Sequence, residues 1–378
     1  IKSDSTEITK NVVLISVESL SAEFMAMYGN KDNVTPFLDS LSKESLIFPN
    51  TFANGRQSIH GMSSVLAGIP SLKDAFTSSP YSNQKIQSIV SVTNELGYET
   101  SFYHGAPNGS MGFQGFANIL GFKDYFGKTE YNNDKDFDGI WAIWDEPFLQ
   151  YFAKNVGKSN KPFMATVFTA SSHHPFKIPV QYEGKFKKGF VEMHEPIQYA
   201  DYALKKYFET ARKQPWYENT IFAIIPDHTT VDYYPYYQQK ITHHRIPIIF
   251  YSANKTLIPQ GHSAVLGQQI DLFPTLADLM GYQKPFRSWG RSLMSTIADE
   301  TPRAYVTNAQ FYQLMQGNYT YVLDPNGEVV GVYAIDDYNL SKNLKDAQGN
   351  NEEIKKGIAD MRAFIQDYND RIINDKLK

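Results

Sequence analysis

The 378-residue sequence predicts an α/β fold with a mainly parallel central sheet flanked by helices, and three observations predict it. Continuous apolar, β-branched runs recur along the chain, the pattern of strands buried on both faces. Segments with helical spacing of apolar residues lie between them, and this alternation is the signature of crossover units. Composition agrees: 42% hydrophobic and 20% charged residues are globular values, so a sizeable core is affordable.

The expected strands are 11–17 (NVVLISV), 99–105, 162–170, 220–226 (TIFAIIP) and 246–252, with a further apolar strand just before Asn54. The expected helices are 35–45, 58–68, 84–97, 145–156, 194–213 and 266–281. From Thr301 the pattern shifts to short alternating runs with a PNG hairpin signal, then an amphipathic closing helix from Asn351. Two units follow from this: residues 1–300 as the main α/β domain and 301–378 as a small C-terminal α+β subdomain packed on it.

No apolar run reaches the roughly 18 residues needed to span a bilayer. The net charge of −4, without a long basic block, argues against nucleic acid as a partner. The absence of cysteine removes disulfides, zinc–thiolate sites and thiol nucleophiles together. A start at Ile1 without an initiator methionine is expected of a processed or excised piece. The 25 Tyr and 25 Phe include clusters in polar surroundings, such as VDYYPYYQQK, that suit a wet rim around a groove.

Ligands in open α/β sheets bind beyond the carboxyl ends of the strands. Those ends carry Glu18 after 11–17, His104 after 99–103, His173 and His174 after 162–170, and Asp227 with His228 after 220–226. Taken alone, Glu18 reads better as an exposed loop acid, and Asp227 reads equally as a turn former beside an unrelated histidine. Together, however, Glu, Asp and His form an oxygen and nitrogen set suited to Mn²⁺, Zn²⁺ or Mg²⁺. Ser58, where SIHGMSSVLAG turns helical, has two readings. One is an N-cap; the other is a nucleophile at a helix N-terminus that favours a transferred phosphate. Asp145 and Glu146 read best as caps of the helix that follows them.

In this order and spacing, NVVLISVES, TPFLDSLSKESLIFPNTFANGRQSIHGM, SFYHG, TASSHHPF and IIPDHT resemble the sulfatase-like branch of the alkaline phosphatase superfamily. Within that branch the resemblance is to the lipoteichoic acid synthase type of phosphoglycerol transferase. It implies one divalent metal, Mn²⁺ favoured with Zn²⁺ or Mg²⁺ as alternatives, held by Glu18, Ser58, Asp227 and His228. Ser58 would be the nucleophile, where lipoteichoic acid synthases use Thr. His104 and His173 would hold phosphate oxygens or protonate the leaving group. Arg56 is matched to a phosphate-contacting basic residue, while His60 and His174 are neighbours of the site.

The resemblance further implies a phospholipid donor and a glycan or polyol-phosphate acceptor. It implies N-terminal transmembrane helices beyond this chain that hold the domain on the outer face of the bacterial cytoplasmic membrane. Two departures matter. The segment after His104, APNGSMGFQGF, lacks the acid, Trp and Arg that grip glycerol phosphate in lipoteichoic acid synthases. SIHGM also lacks the Pro and Arg of the sulfatase C/S-x-P-x-R motif, which argues against sulfate ester hydrolysis. A phosphodiesterase or phosphatase, and a metal-dependent binding domain without turnover, are the alternatives. His243, His244 and His262 are expected to lie away from the site, leaving a single metal.

Overall fold

The computed structural model describes residues 10–378 apart from 73, 159, 231, 296–300, 308–309 and 347–350. The boundary expected at residue 300 falls on 296–300, outside the described residues. The strands of the main sheet are β1 (Asn11–Val17), β2 (Leu46–Phe52), β3 (Glu99–His104), β4 (Asp124–Phe126), β5 (Phe163–Phe168), β6 (Thr220–Pro226), β7 (Arg245–Tyr251), β8 (Gly261–His262) and β9 (Gly267–Gln268). Their order is β4-β3-β5-β1-β6-β7-β2-β8, with β9 also paired to β2. Every pairing is parallel except the two made by β7, which runs antiparallel to both β6 and β2.

The helices are α1 (Pro36–Ser42), α2 (Ser58–Ala67), α3 (Ile89–Glu95), α4 (Phe113–Leu120), α5 (Lys128–Tyr131), α6 (Asp145–Asn155), α7 (His194–Ala211), α8 (Leu272–Leu279) and α9 (Glu352–Ile373). They cover both faces of the sheet, and β1 shows why its sequence is apolar throughout. Val12 and Leu14 join the apolar cluster containing α2, α3, α4 and α8, whereas Val13, Ile15 and Val17 join the one containing α1, α6 and α7. A strand with period-2 side chains between two helical layers has no solvent face.

The last four strands, β10 (Arg303–Thr307), β11 (Tyr312–Gln316), β12 (Tyr319–Leu323) and β13 (Val329–Ala334), form an antiparallel sheet in sequence order. The PNG signal lies at the β12–β13 turn, where Gly327 has φ +82°. This sheet and α9 share the apolar cluster of α2 and α8, so the C-terminal part is built into the core of the main sheet. Phe364 of α9 stacks on Tyr305 with ring centroids 3.7 Å apart and planes 13° apart. Truncating so buried a ring costs about 3–5 kcal/mol. Phe364→Ala is therefore expected to lower the denaturant midpoint of the whole chain, in one transition with the main sheet. A separate early transition, leaving the main sheet at its original midpoint, would contradict a shared core.

Candidate active site

The carboxyl ends of β1 and β6 adjoin, because Val17 pairs with Pro226, and this brings Glu18 against Asp227 and His228. One ligand atom from each of the three lies within 4.8 Å of the others, the one such group of three or more among the described residues. The strand after β6, β7, enters the sheet at this same end, and so the approach of the chain from β2 into α2 delivers Ser58 there too. Ser58 Oγ donates to Glu18 Oε2 at 3.1 Å and lies 3.3 Å from His228 Nε2.

The N-cap reading of Ser58 does not hold. Gln57 occupies the cap position with no side-chain cap bond, and Ser58 is the first helical residue, its hydroxyl spent on the acid and the imidazole. Helix α2 gets this close because residue 61 is glycine: a Cβ there would stand 2.3 Å from the carbonyl oxygen of Asp227.

The backbone around the two acids is arranged to hold them. Ser19 sits in the left-handed region at φ +58°, a strained conformation for a non-glycine residue. That turn aims the Ser19 N–H at Asp227 Oδ1 (2.8 Å) and its hydroxyl at Glu18 Oε1 (2.6 Å). The His228 N–H donates to the same Asp227 Oδ1 at 2.8 Å. Asp227 Oδ2 is buried and accepts no hydrogen bond among the described residues. His228 Nδ1 is 2.7 Å from the Thr229 carbonyl, which fixes the ring so that Nε2 faces Glu18 Oε1 (3.4 Å) and Asp227 Oδ2 (3.3 Å).

The electrostatics call for positive charge at this point. Burial and the neighbouring Glu18 charge push the Asp227 carboxyl up. The Glu18 carboxyl, despite a burial effect in the opposite direction, is held low by the charge and hydrogen bond of His228. His228 is pushed up by both acids against its burial. Two buried carboxylates, an imidazole nitrogen facing them, an unpartnered carboxylate oxygen and a hydroxyl fit a divalent cation well.

The other expected residues are not drawn into that cluster. His104 ends β3 inside an aromatic box, its ring centroid 5.0 Å from Phe113 and 5.3 Å from Phe168, with Nδ1 buried and unpartnered among the described residues. Burial lowers its pKa from 6.5 to about 4, opposed by the Glu18 charge. His173 is half-buried, its Nδ1 3.0 Å from the His174 carbonyl and its ring 4.3 Å from that of Trp141. His174 is exposed. Arg56 donates to the Thr230 carbonyl (3.0 Å) and reaches Asp232 and His243 at 3.5 Å each, so it braces the loop after β6. His60 is turned toward Gly55, and its Nδ1 is buried without a partner among the described residues.

Three expectations need correction. His243 and His244 do not lie at the far end: because β7 is antiparallel to β6, its entrance adjoins the exit of β6, and His243 meets Arg56. Asp145 does not cap its own helix, whose cap position is Trp144. Its carboxylate accepts from the Ala170 and Ser171 N–H groups (2.8 and 3.1 Å), clamping the exit of β5 just before His173. Glu146 is likewise no cap; its Oε2 accepts from the Tyr182 hydroxyl at 3.3 Å.

Gln269 has no counterpart among the expected residues. Fully buried, it donates to the carbonyls of Pro226 (2.9 Å) and Asp227 (2.7 Å) and accepts from the Asn54 N–H (2.9 Å). It thus ties the acid-bearing strand end to the loop that leads into Ser58. In the sequence it sits in a stretch that reads as helix, and nothing marks it.

The protonation of His104 sets a pH dependence. Its folded pKa lies below its unfolded value, so the unfolded chain binds more protons between pH 6.5 and about 4. The stability from keeping it neutral is complete above pH 6.5 and is lost as pH falls through that window. Between pH 7.5 and 5 the wild type is expected to lose about 2 kcal/mol more than His104→Phe, read from urea midpoints. Equal losses in the two proteins would place the ring in water.

The fold and this strand-end cluster together define a class. The Sulfatase family model matches residues 10–282, and the chain belongs to that family. Curated relatives narrow the branch. The chain is 23% identical over 328 residues to the lipoteichoic acid synthase-like YvgJ of Bacillus subtilis, covering 80% of this chain and 52% of that protein. It is 26% identical over 311 residues to the lipoteichoic acid synthase of Staphylococcus aureus, covering 76% and 48%. The chain thus spans about half the length of the curated relatives it matches.

Among solved structures, a protein of the alkaline phosphatase superfamily from Vibrio parahaemolyticus superposes with a TM-score of 0.84 at 26% identity, over 98% of this chain and 88% of that one. The lipoteichoic acid synthase LtaP from Listeria monocytogenes shares the fold, with a TM-score of 0.77 at 20% identity over 97% and 93%. The chain is a sulfatase-like domain of the lipoteichoic acid synthase-like kind, which places it among the enzymes of the sulfatase superfamily.

Proposed function

We propose that this domain transfers the head-group phosphate of a phospholipid, phosphoglycerol or a close analogue, to an acceptor hydroxyl in bacterial cell-envelope polymer or glycan synthesis. The observation that carries this reading is the position of Ser58. Its hydroxyl lies within 3.3 Å of both Glu18 and His228, in the first turn of a ten-residue helix whose N–H groups favour incoming phosphate. The similarity to lipoteichoic acid synthases supports cell-envelope polymer synthesis as the class of reaction.

Glu18, Asp227, His228 and Ser58 would hold one divalent ion, Mn²⁺ on the family resemblance, with Zn²⁺ and Mg²⁺ also suited to this donor set. When bound, that ion supplies Lewis acidity and a lowered pKa for the serine hydroxyl. Ser58 Oγ would give up its proton to solvent and attack phosphorus; the Oγ–P bond forms as the bond from phosphorus to the lipid oxygen breaks. The lipid oxygen takes up a proton and leaves as diacylglycerol. In this reading His173, half-buried after β5, would give that proton, and His104, neutral in its aromatic box, would offer a ring N–H to a non-bridging oxygen. Attack by an acceptor hydroxyl then breaks the Oγ–P bond and restores Ser58. Arg56, which orders the loop after β6, and the exposed His174 would contact the substrate only in a lesser role.

On this reading the domain works on the outer face of the cytoplasmic membrane, where donor lipid and acceptor polymer meet. The test is product analysis of the metal-loaded chain with phosphatidylglycerol and a glycerol phosphate acceptor. Diacylglycerol release matched by head group joined to the acceptor is expected. Head group released only as the free phosphate ester would overturn transfer and make the same site a phosphodiesterase.

A further inference from the structure

A short loop beside His173 presents two large apolar side chains to solvent, and it is built to do so. Phe137 and Ile143 bridge its base, and the Asp138 N–H donates to the Ala142 carbonyl at 2.9 Å. Asp138 Oδ1 then accepts the main-chain N–H groups of Ile140 (2.7 Å), Trp141 (2.7 Å) and Ala142 (3.1 Å). Gly139 supplies the turn at φ +84°. A backbone pinned this way holds its tip in one conformation, and at that tip Ile140 is 46% and Trp141 38% exposed.

Trp141 is fixed in turn. Its indole N–H donates to the His174 carbonyl at 2.5 Å, and its ring lies 4.3 Å from His173. Ile140 and Trp141 line one shallow depression with Trp144, His173, Pro175 and Lys177. The chain beyond that depression continues in the same character. Val180 is 74% and Phe190 70% exposed, and residues 177–190 carry lysines at 177, 185, 187 and 188 against a single acid, Glu183. This basic stretch belongs to a chain whose net charge is −4.

We propose that the 137–143 loop tip, with Lys177 and the basic segment after it, seats this domain on an anionic lipid surface. Tryptophan and aliphatic side chains rest at the boundary of head groups and acyl chains, and lysines beside them meet anionic head groups. The 137–143 loop comes after β4 and α5 and the 177–190 segment after β5, and β4, β3 and β5 run parallel, so both segments leave the sheet at the end that holds Ser58. The seat would bring a head group to the site with its acyl chains still in the bilayer. The pre-ordered tip inserts at little cost in conformational entropy, and exposed apolar side chains flanked by lysines favour an anionic lipid surface over a soluble occupant. The inference rests on the reading that Ser58 acts on a lipid, and names the surface from which that lipid is taken.

The test is flotation of the chain on vesicles of phosphatidylcholine alone or with 30 mol% phosphatidylglycerol, in wild type, Ile140→Asp and Trp141→Ala. Wild type is expected to partition onto the anionic vesicles and not onto phosphatidylcholine. Each substitution should lower the partition coefficient about tenfold, the scale of losing one interfacial anchor. With brominated phosphatidylglycerol, quenching of tryptophan fluorescence should appear in wild type and fall away in Trp141→Phe.

Partition unchanged by both substitutions, or no partition at all, would overturn the seat. So would perturbation of Trp141 by soluble glycerol phosphate without vesicle binding, which would make the tip an acceptor platform. Ser58→Ala separates the two readings, since it should float like wild type whether or not transfer occurs. A chain that floats through this tip yet never joins a head group to Ser58 keeps the seat and loses the transferase.

Discussion

Ser58→Ala is expected to abolish turnover of any phosphodiester this domain accepts, by a factor on the order of 10⁴ or more. The covalent route depends on one oxygen, and no neighbour replaces it: the next hydroxyl at the cluster, that of Ser19, is already spent on Glu18 Oε1 at 2.6 Å. The same variant should retain one equivalent of divalent metal, because Glu18, Asp227 and His228 keep their places through Ser19, Thr229 and Gln269 rather than through Ser58. Steady-state kinetics with a chromogenic phosphodiester, paired with metal titration by calorimetry, read both halves. Residual activity within tenfold of wild type would remove Ser58 from the chemistry. Loss of metal together with activity would make it mainly a ligand.

Gly61→Ala should have the second largest effect, and its sign opposes simple expectation. Alanine in a helix interior gains about 1 kcal/mol over glycine. Here the added methyl would meet the Asp227 carbonyl at 2.3 Å, so α2 must back away from the strand end by about 1 Å to reach ordinary contact. Such overpacking costs about 1–3 kcal/mol, which offsets or exceeds the helix gain. The displaced element carries Ser58, and a misplacement of that size is worth roughly 100-fold in rate. The expected result is turnover reduced about 100-fold with metal affinity little changed. A variant more stable than wild type and equally active would show that the approach of α2 to β6 is looser than the structure gives.

Much of this architecture was legible in the sequence, and the legible parts share a cause. β1, β5 and β6 are buried on both faces, and burial on both faces writes itself as an unbroken apolar run. β2 is harder to see as a full strand, because Pro49 and Asn50 interrupt it at the irregularity between Phe48 and Thr51. The helix Phe113–Leu120 is absent from the expected helices, since FQGFANIL has glycine inside it and too short an apolar stripe to stand out. The direction of β7 leaves no compositional trace, and that placed His243 and His244 at the wrong end of the sheet.

The site divides in the same way. Glu18, Asp227 and His228 are visible as polar residues directly after buried strands, where the fold puts ligands. Ser58 is visible only as an ambiguity between cap and nucleophile, which the contact with Glu18 and His228 decides against the cap. Asp145 misleads because an acid at the start of a helix looks the same whether it caps that helix or grips another strand. Gly61 and Gln269 act on main-chain carbonyls of distant residues, and backbone contacts across the fold carry no side-chain signature.

The measurement that bears most directly on the account is peptide mass spectrometry of the metal-loaded chain after incubation with phosphatidylglycerol. The account predicts a glycerol phosphate increment on the peptide containing Ser58, absent when a chelator is present and absent from Ser58→Ala. Diacylglycerol release with Ser58 unmodified, or an increment on any other residue, would contradict it.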